Sequence, residues 1–314
     1  MIESKTVLTY LGALAVVFAV SAYKNKFGDA NSKTNDLIRE YLLNESPLYG
    51  MNKPKLWIHT VYNVNARAWR TGERNSTNLN QPYIHTVIKT IINKCGDDFN
   101  VCLIDDASFA KLLPSFDLSL PLSQTQREYA LMQLLYVYGG IVVPNTFICM
   151  QSLLPLLSDT VPKFSSGAQI MSAPKFSPLL LNIAGKWLGT QSLHSSSEEN
   201  FVNNKNKILA NEIQQGHAEL IDARLIGKAT VSGKPITLDD LMGEDFINLS
   251  PDAYGVLVNG DEVLERAKHK WLAYMSTAEL MHTNLIMVKF MKASLADKEY
   301  FQNESGVKKS ITAI

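Results

Sequence analysis

Apolar positions fall into three patterns along this chain. The first is an unbroken run, Thr6–Tyr23 (TVLTYLGALAVVFAVSAY), with no charged residue. Its eighteen residues would rise about 27 Å as an α-helix, close to the thickness of bilayer hydrocarbon. Lys5 precedes the run, and Lys24 and Lys26 follow it. Residues 1–23 therefore read as a single-pass transmembrane anchor. A cleaved signal peptide, cut near Val20-Ser21-Ala22, is the rival reading. The flanking lysines favour a cytosolic body, but long domains override that bias, so cytosolic and lumenal placements both stay open.

The second pattern is a set of short, β-rich apolar runs at Lys55–Val61, Phe99–Ile104 and Ile141–Val143. The third is a helical period. Tyr83–Lys94 carries apolar residues at 84, 87, 88, 91 and 92. Ser108–Leu113 predicts a short helix stopped by Pro114. Ser123 followed by Gln126 is a capping-box pattern, and the helix it starts runs to Tyr138. Gly139-Gly140 stops that helix, with an αL cap expected at the glycine. Strand and helix thus alternate, which predicts an α/β fold with a mostly parallel sheet and flanking helices. Further helices are expected near 177–187, 261–275 and 277–294. Residues 24–53 read as a stalk, 54–314 as the folded body, and the polar stretch 191–206 as a flexible loop.

Composition changes this picture little. Hydrophobic residues make up 46% of the 314, which suits a packed body. Lys+Arg and Asp+Glu are equal at 30 each, so no basic excess points to a nucleic-acid partner. Cys95, Cys102 and Cys149 form no C-x-x-C pair and read most simply as free thiols. No phosphate loop, His-Glu-x-x-His helix or Gly-x-Ser-x-Gly elbow occurs.

In open α/β sheets, ligands bind at the carboxyl ends of strands. The candidates there are His59, Asp105, Asp106, and the Asn145 and Thr146 that follow Pro144. Each also has a structural reading. Asp105-Asp106 suits the cap of the helix that follows, and His59 suits a packed histidine. Arg67, Arg70 and Arg74 are spaced as one helical face and suit a solvated stripe. Arg127 is a further cation that could meet an anionic ligand.

Arg127–Thr146 (REYALMQLLYVYGGIVVPNT) resembles the core of the DXD-type glycosyltransferases. That family includes the fungal initiating mannosyltransferases and bacterial capsular polysaccharide enzymes. The resemblance extends over roughly residues 54–183, through Pro54–His59 (PKLWIH) and Asn100–Leu113. It implies a GT-A-like fold, a nucleotide-sugar donor and a divalent Mn or Mg ion held by Asp-x-Asp. In this chain the Asp-x-Asp positions are Pro144-Asn145-Thr146, and no Asp-x-Asp occurs anywhere in the sequence. Aligning the glycines puts the family's donor-contacting Asp at Glu128 and its Arg at Leu131. The resemblance therefore implies His59, Asp105, Asp106, Glu128, Asn145 and Thr146 as donor contacts. Asp105 and Asp106 are the candidate metal ligands, and Gly139 and Gly140 the structural motif. Two functions stay open. One is a membrane-anchored glycosyltransferase moving sugar to a glycan or protein hydroxyl. The other is a catalytically inactive relative kept as a membrane or virion structural or binding protein.

Overall fold

The computed structural model describes residues 53–60, 81–113, 116, 122–192 and 198–303. The anchor run, nearly all of the stalk and the Arg67/Arg70/Arg74 stripe lie outside these residues. Among the described residues no helix is long and apolar enough to cross a membrane.

The body is a mixed α/β fold. Strands β1 (Lys55–His59), β2 (Asn100–Ile104) and β3 (Gly140–Val142) alternate with helices α1 (Pro82–Cys95), α2 (Asp106–Leu112) and α3 (Gln124–Tyr138). Then come β4 (Phe147–Cys149), β5 (Lys163–Ser165) and β6 (Met171–Ala173). Helices α4 (Pro178–Ser192) and α5 (Glu198–Gln214) lead to β7 (Glu219–Ile221). The chain closes with α6 (Leu238–Leu241), β8 (Gly255–Leu257), α7 (Gly260–Glu265), α8 (Thr277–His282) and α9 (Ile286–Asn303).

Six strands form one sheet in the order β2-β1-β3-β6-β5-β7. The β1–β2, β1–β3 and β5–β7 pairs are parallel, while β6 runs antiparallel to both of its neighbours. A second, two-stranded sheet pairs β4 with β8 antiparallel. The runs that make β1 and β3 are apolar on both faces because layers cover both: Leu56, Trp57, Ile58, Ile141 and Val142 are all buried.

Local signals act as expected at α3. The Ser123 side chain accepts from the Gln126 N–H, and the Gln126 side chain accepts from the Ser123 N–H. The helix ends at Gly139, but with φ 67° and ψ −170°, an extended mirror conformation and not αL. Gly140 has φ 104°, and a Cβ there would lie 2.1 Å from the Lys55 carbonyl oxygen. Only glycine lets β3 come this close to β1. The Trp57 indole N–H donates to the Gly139 carbonyl at 3.0 Å and completes this junction.

Three further expectations change. Residues 198–206 are not loop but the first half of α5, a polar helix docked through Lys205, Leu209 and Glu212, all buried. The expected helix 261–275 breaks after Glu265 and resumes as a 3₁₀ turn over Lys270–Tyr274. Asp239 bonds Arg266, Lys268 and His269 together, and the segment leaves the helix to reach it. The expected helix 277–294 is two helices, because α8 ends at Thr283, whose N–H and hydroxyl both bond the Leu280 carbonyl. The three cysteines are free thiols, with the buried Cys95 and Cys149 sulfurs 3.7 Å apart.

Candidate functional site

The chain steps from β1 outward to β2, then returns across β1 to add β3 on its other side. The strand order reverses between β1 and β3. In open α/β sheets such a reversal marks where ligands bind, outside the carboxyl ends of the strands. Thr60 and Asn145 stand at this point, and the Asn145 amide donates to Thr60 Oγ1 at 3.4 Å. The flanking backbone stays tied to the sheet through Thr60 N–H to Ile104 O and Val143 N–H to Trp57 O, both 2.9 Å.

A charged cluster stands beside these strand ends. His59 ends β1, Asp106 begins α2, and Arg127 lies in the first turn of α3. Arg127 Nε donates to Asp106 Oδ1 at 2.9 Å, and Arg127 Nη2 donates to Asp106 Oδ2 at 2.9 Å, a bidentate pair. His59 Nε2 shares a hydrogen bond with Asp106 Oδ1 at 2.9 Å. The imidazole stacks on Phe109 at 5.2 Å between centroids. Partial burial would raise the Asp106 pKa, but the bonds and charges of His59 and Arg127 outweigh it and hold it at about 2. The carboxylate is a fixed anion at neutral pH.

Asp105 does different work. It is the N-cap of α2, and its carboxylate accepts from the Ser108 N–H at 2.8 Å and the Ser108 hydroxyl at 2.7 Å. Glu128 turns to α5, where Lys205 Nζ bonds both of its oxygens at 3.0 and 2.8 Å. Thr146 is buried against α7 and its carbonyl accepts from Val258 N–H. Gly139 and Gly140 sit at the opposite end of the strands, by the start of β1. Of the expected residues, the structure brings His59 and Asp106 together, with Asn145 by the neighbouring strand end. Glu128 is committed elsewhere.

Thr60, Phe109 and Lys205 are components that sequence reasoning passed over. Thr60 adjoins the flagged His59, and Phe109 belongs to the short helix already expected there. For Lys205 no local pattern exists, since its partner is 77 residues away.

The expectation that Asp105 and Asp106 hold a divalent ion does not fit these bonds. Both Asp106 oxygens are taken by Arg127, and a cation there would meet that guanidinium. One Asp105 oxygen caps α2, Pro144 has no ligating side chain, and Asn145 and Thr146 are neutral. Divalent Mg and Mn bind hard oxygen donors and are held most firmly where one or two free carboxylates supply charge. Among the described residues no three of His, Cys, Asp and Glu group as a metal site.

No family model matches this chain, and no curated protein does. Two solved structures of the glycosyltransferase GlyE from Streptococcus pneumoniae TIGR4 are similar in part. The apo form is 13% identical with a TM-score of 0.39, and the second structure 11% identical with a TM-score of 0.40. In both cases 82% of this chain is matched to 64% of GlyE, so the chain spans less than two thirds of GlyE's length. Likeness at this level supplies no argument about activity, and the function must be argued from the chain's own residues.

Proposed function

We propose that this chain is a glycosyltransferase-like protein of GT-A-like fold that takes a nucleotide-sugar donor in the crevice between β1 and β3. It would move the sugar to a glycan or protein hydroxyl, with the Thr6–Tyr23 run as its single-pass anchor. The observation that carries the reading is the strand-order reversal, with Thr60 and Asn145 at it and the Arg127–Asp106–His59 cluster beside it.

Arg127 adds a second support. Leu131 stands where the resembling family has an arginine, and it packs on the core. Arg127 precedes it by four residues and lies on the same helical face, one turn earlier. Its Nη1 takes no part in the bond to Asp106 and remains a donor for an anionic group. In this chain the leaving diphosphate would be met by fixed guanidinium and amide dipoles, in place of carboxylate-held metal.

The saturation of Asp106 and Glu128 favours a second reading. In it, the cluster is a stabilising ion network in an inactive relative retained for binding or assembly. Release of nucleoside diphosphate from a nucleotide-sugar panel, with and without hydroxyl acceptors, separates the two. Release that Asn145→Ala reduces supports the transferase. Absence of release from the folded full-length chain supports the inactive relative.

A further inference from the structure

The Gly139-Gly140 pair shapes the end of the sheet opposite His59 and Asn145. A cavity of about 380 Å³ opens there, at the start of β1 and β3 and the end of β6. It lies at Lys55, four residues before His59, so about 13 Å of strand separates the two places. Lys53, Lys55 and Lys175 line it, against the single carboxylate of Asp159. Asp159 is in no ion pair with Lys53 or Lys175.

The glycines are what bring these lysines together. A Cβ on Gly140 would lie 2.1 Å from the Lys55 carbonyl, and one on Gly139 would lie 3.0 Å from Lys175 Cγ. With both absent, the strand that carries Lys55 and the segment that carries Lys175 converge on one wall. Lys55 is buried, with only 8% of its surface exposed. Burial lowers its pKa, Cys102 opposes this, and the nearby Lys175 ammonium lowers it further. The Lys55 and Lys175 ammonium groups thus repel each other, and an anion between them would relieve that repulsion. The volume is within the range of small-ligand pockets.

We propose that this cavity is a second ligand site, which takes a small phosphorylated anion between Lys53, Lys55 and Lys175. Lysine suits phosphate as a compact, multiply donating point charge. The proposal does not depend on the function of the β1–β3 crevice.

The test is calorimetric titration of the full-length chain at constant ionic strength. Inorganic pyrophosphate and a hexose 1-phosphate serve as probes, run side by side to separate a bare polyphosphate from a sugar phosphate. Saturable binding of either probe at or below about 1 mM is expected. Lys175→Gln and Lys53→Gln, both at exposed positions, should each weaken it about fivefold, as loss of one charge contact predicts. Lys55→Met should weaken it further, with circular dichroism to check that β1 survives. Asn145→Ala reports on the crevice. Equal affinity in wild type and both glutamine variants would overturn the proposal. So would no saturable heat for either probe up to about 10 mM, or binding that Asn145→Ala removes and Lys175→Gln leaves intact.

Discussion

Arg127 and Asp106, 21 residues apart, are joined by two parallel charge-assisted bonds of 2.9 Å. This pair ties the start of α3 to the start of α2, and through His59 to the end of β1. Two helix starts and a strand end are thereby held by one carboxylate. Removing the guanidinium leaves Asp106 half-buried, with His59 its one remaining partner among the described residues. Arg127→Ala should destabilise the full-length chain by about 1–3 kcal/mol, less than a fully buried pair would cost. Urea unfolding followed by circular dichroism measures it.

The same pair sets an acid dependence. The Asp106 pKa is depressed from 3.8 to about 2 in the folded chain. A depressed acid pKa contributes stability that is complete above the unfolded value and is lost as pH falls through the folded one. The Asp106 contribution should therefore be full above about pH 4 and disappear towards pH 2. Asp106→Asn should be less stable than wild type at pH 7, with the gap narrowing across that window. Melting curves taken from pH 7 to pH 2 give the comparison. A gap that stays constant would contradict the assignment.

These helix starts were legible in sequence because their signals are local. Ser123 and Gln126 act across three residues and can be read from spacing alone, and Asp105 reads as a cap, although its helix begins at Asp106 and not at the expected Ser108. The carboxyl-end candidates His59, Asp106 and Asn145 followed from the strand–helix rhythm. Their partners did not. Arg127 meets Asp106, and Lys205 meets Glu128, only through tertiary packing. Strands β4 to β8 have three residues each, too few for a period to show. Their pairing is also distant, as in Phe147 opposite Leu257. The polar helix α5 was invisible because its order comes from what it packs against, not from propensity.

Glu128 separates a binding role from a structural one. It pairs with Lys205, which is 5% exposed and also lies over the Trp187 ring at 5.7 Å. Glu128→Gln should cost about 1–3 kcal/mol of stability by removing the charge partner of a buried ammonium. It should leave nucleotide-sugar affinity unchanged. Unfolding and calorimetry on the same variant check both halves, and a large loss of affinity without loss of stability would return Glu128 to the donor site.

Gly140 and Gly167 make a controlled pair. Both have positive φ, but a Cβ at Gly167 meets nothing within 4 Å, while one at Gly140 runs into the Lys55 carbonyl. Gly167→Ala should cost only the backbone strain of about 1–2 kcal/mol. Gly140→Ala should cost that and the displacement of β3 from β1, about 3 kcal/mol or more in total. Thermal melts of the two variants, run together, show whether the difference is there.

The most direct test of the central claim is calorimetric titration of the folded full-length chain with a panel of nucleotide-sugars, each with and without Mn²⁺. The proposed crevice between β1 and β3, with Arg127 beside it and no carboxylate pair set for metal among the described residues, predicts saturable binding of one donor whose affinity does not depend on Mn²⁺ and falls in Asn145→Ala. Binding that appears only with Mn²⁺, or none at all by the folded chain, would contradict it.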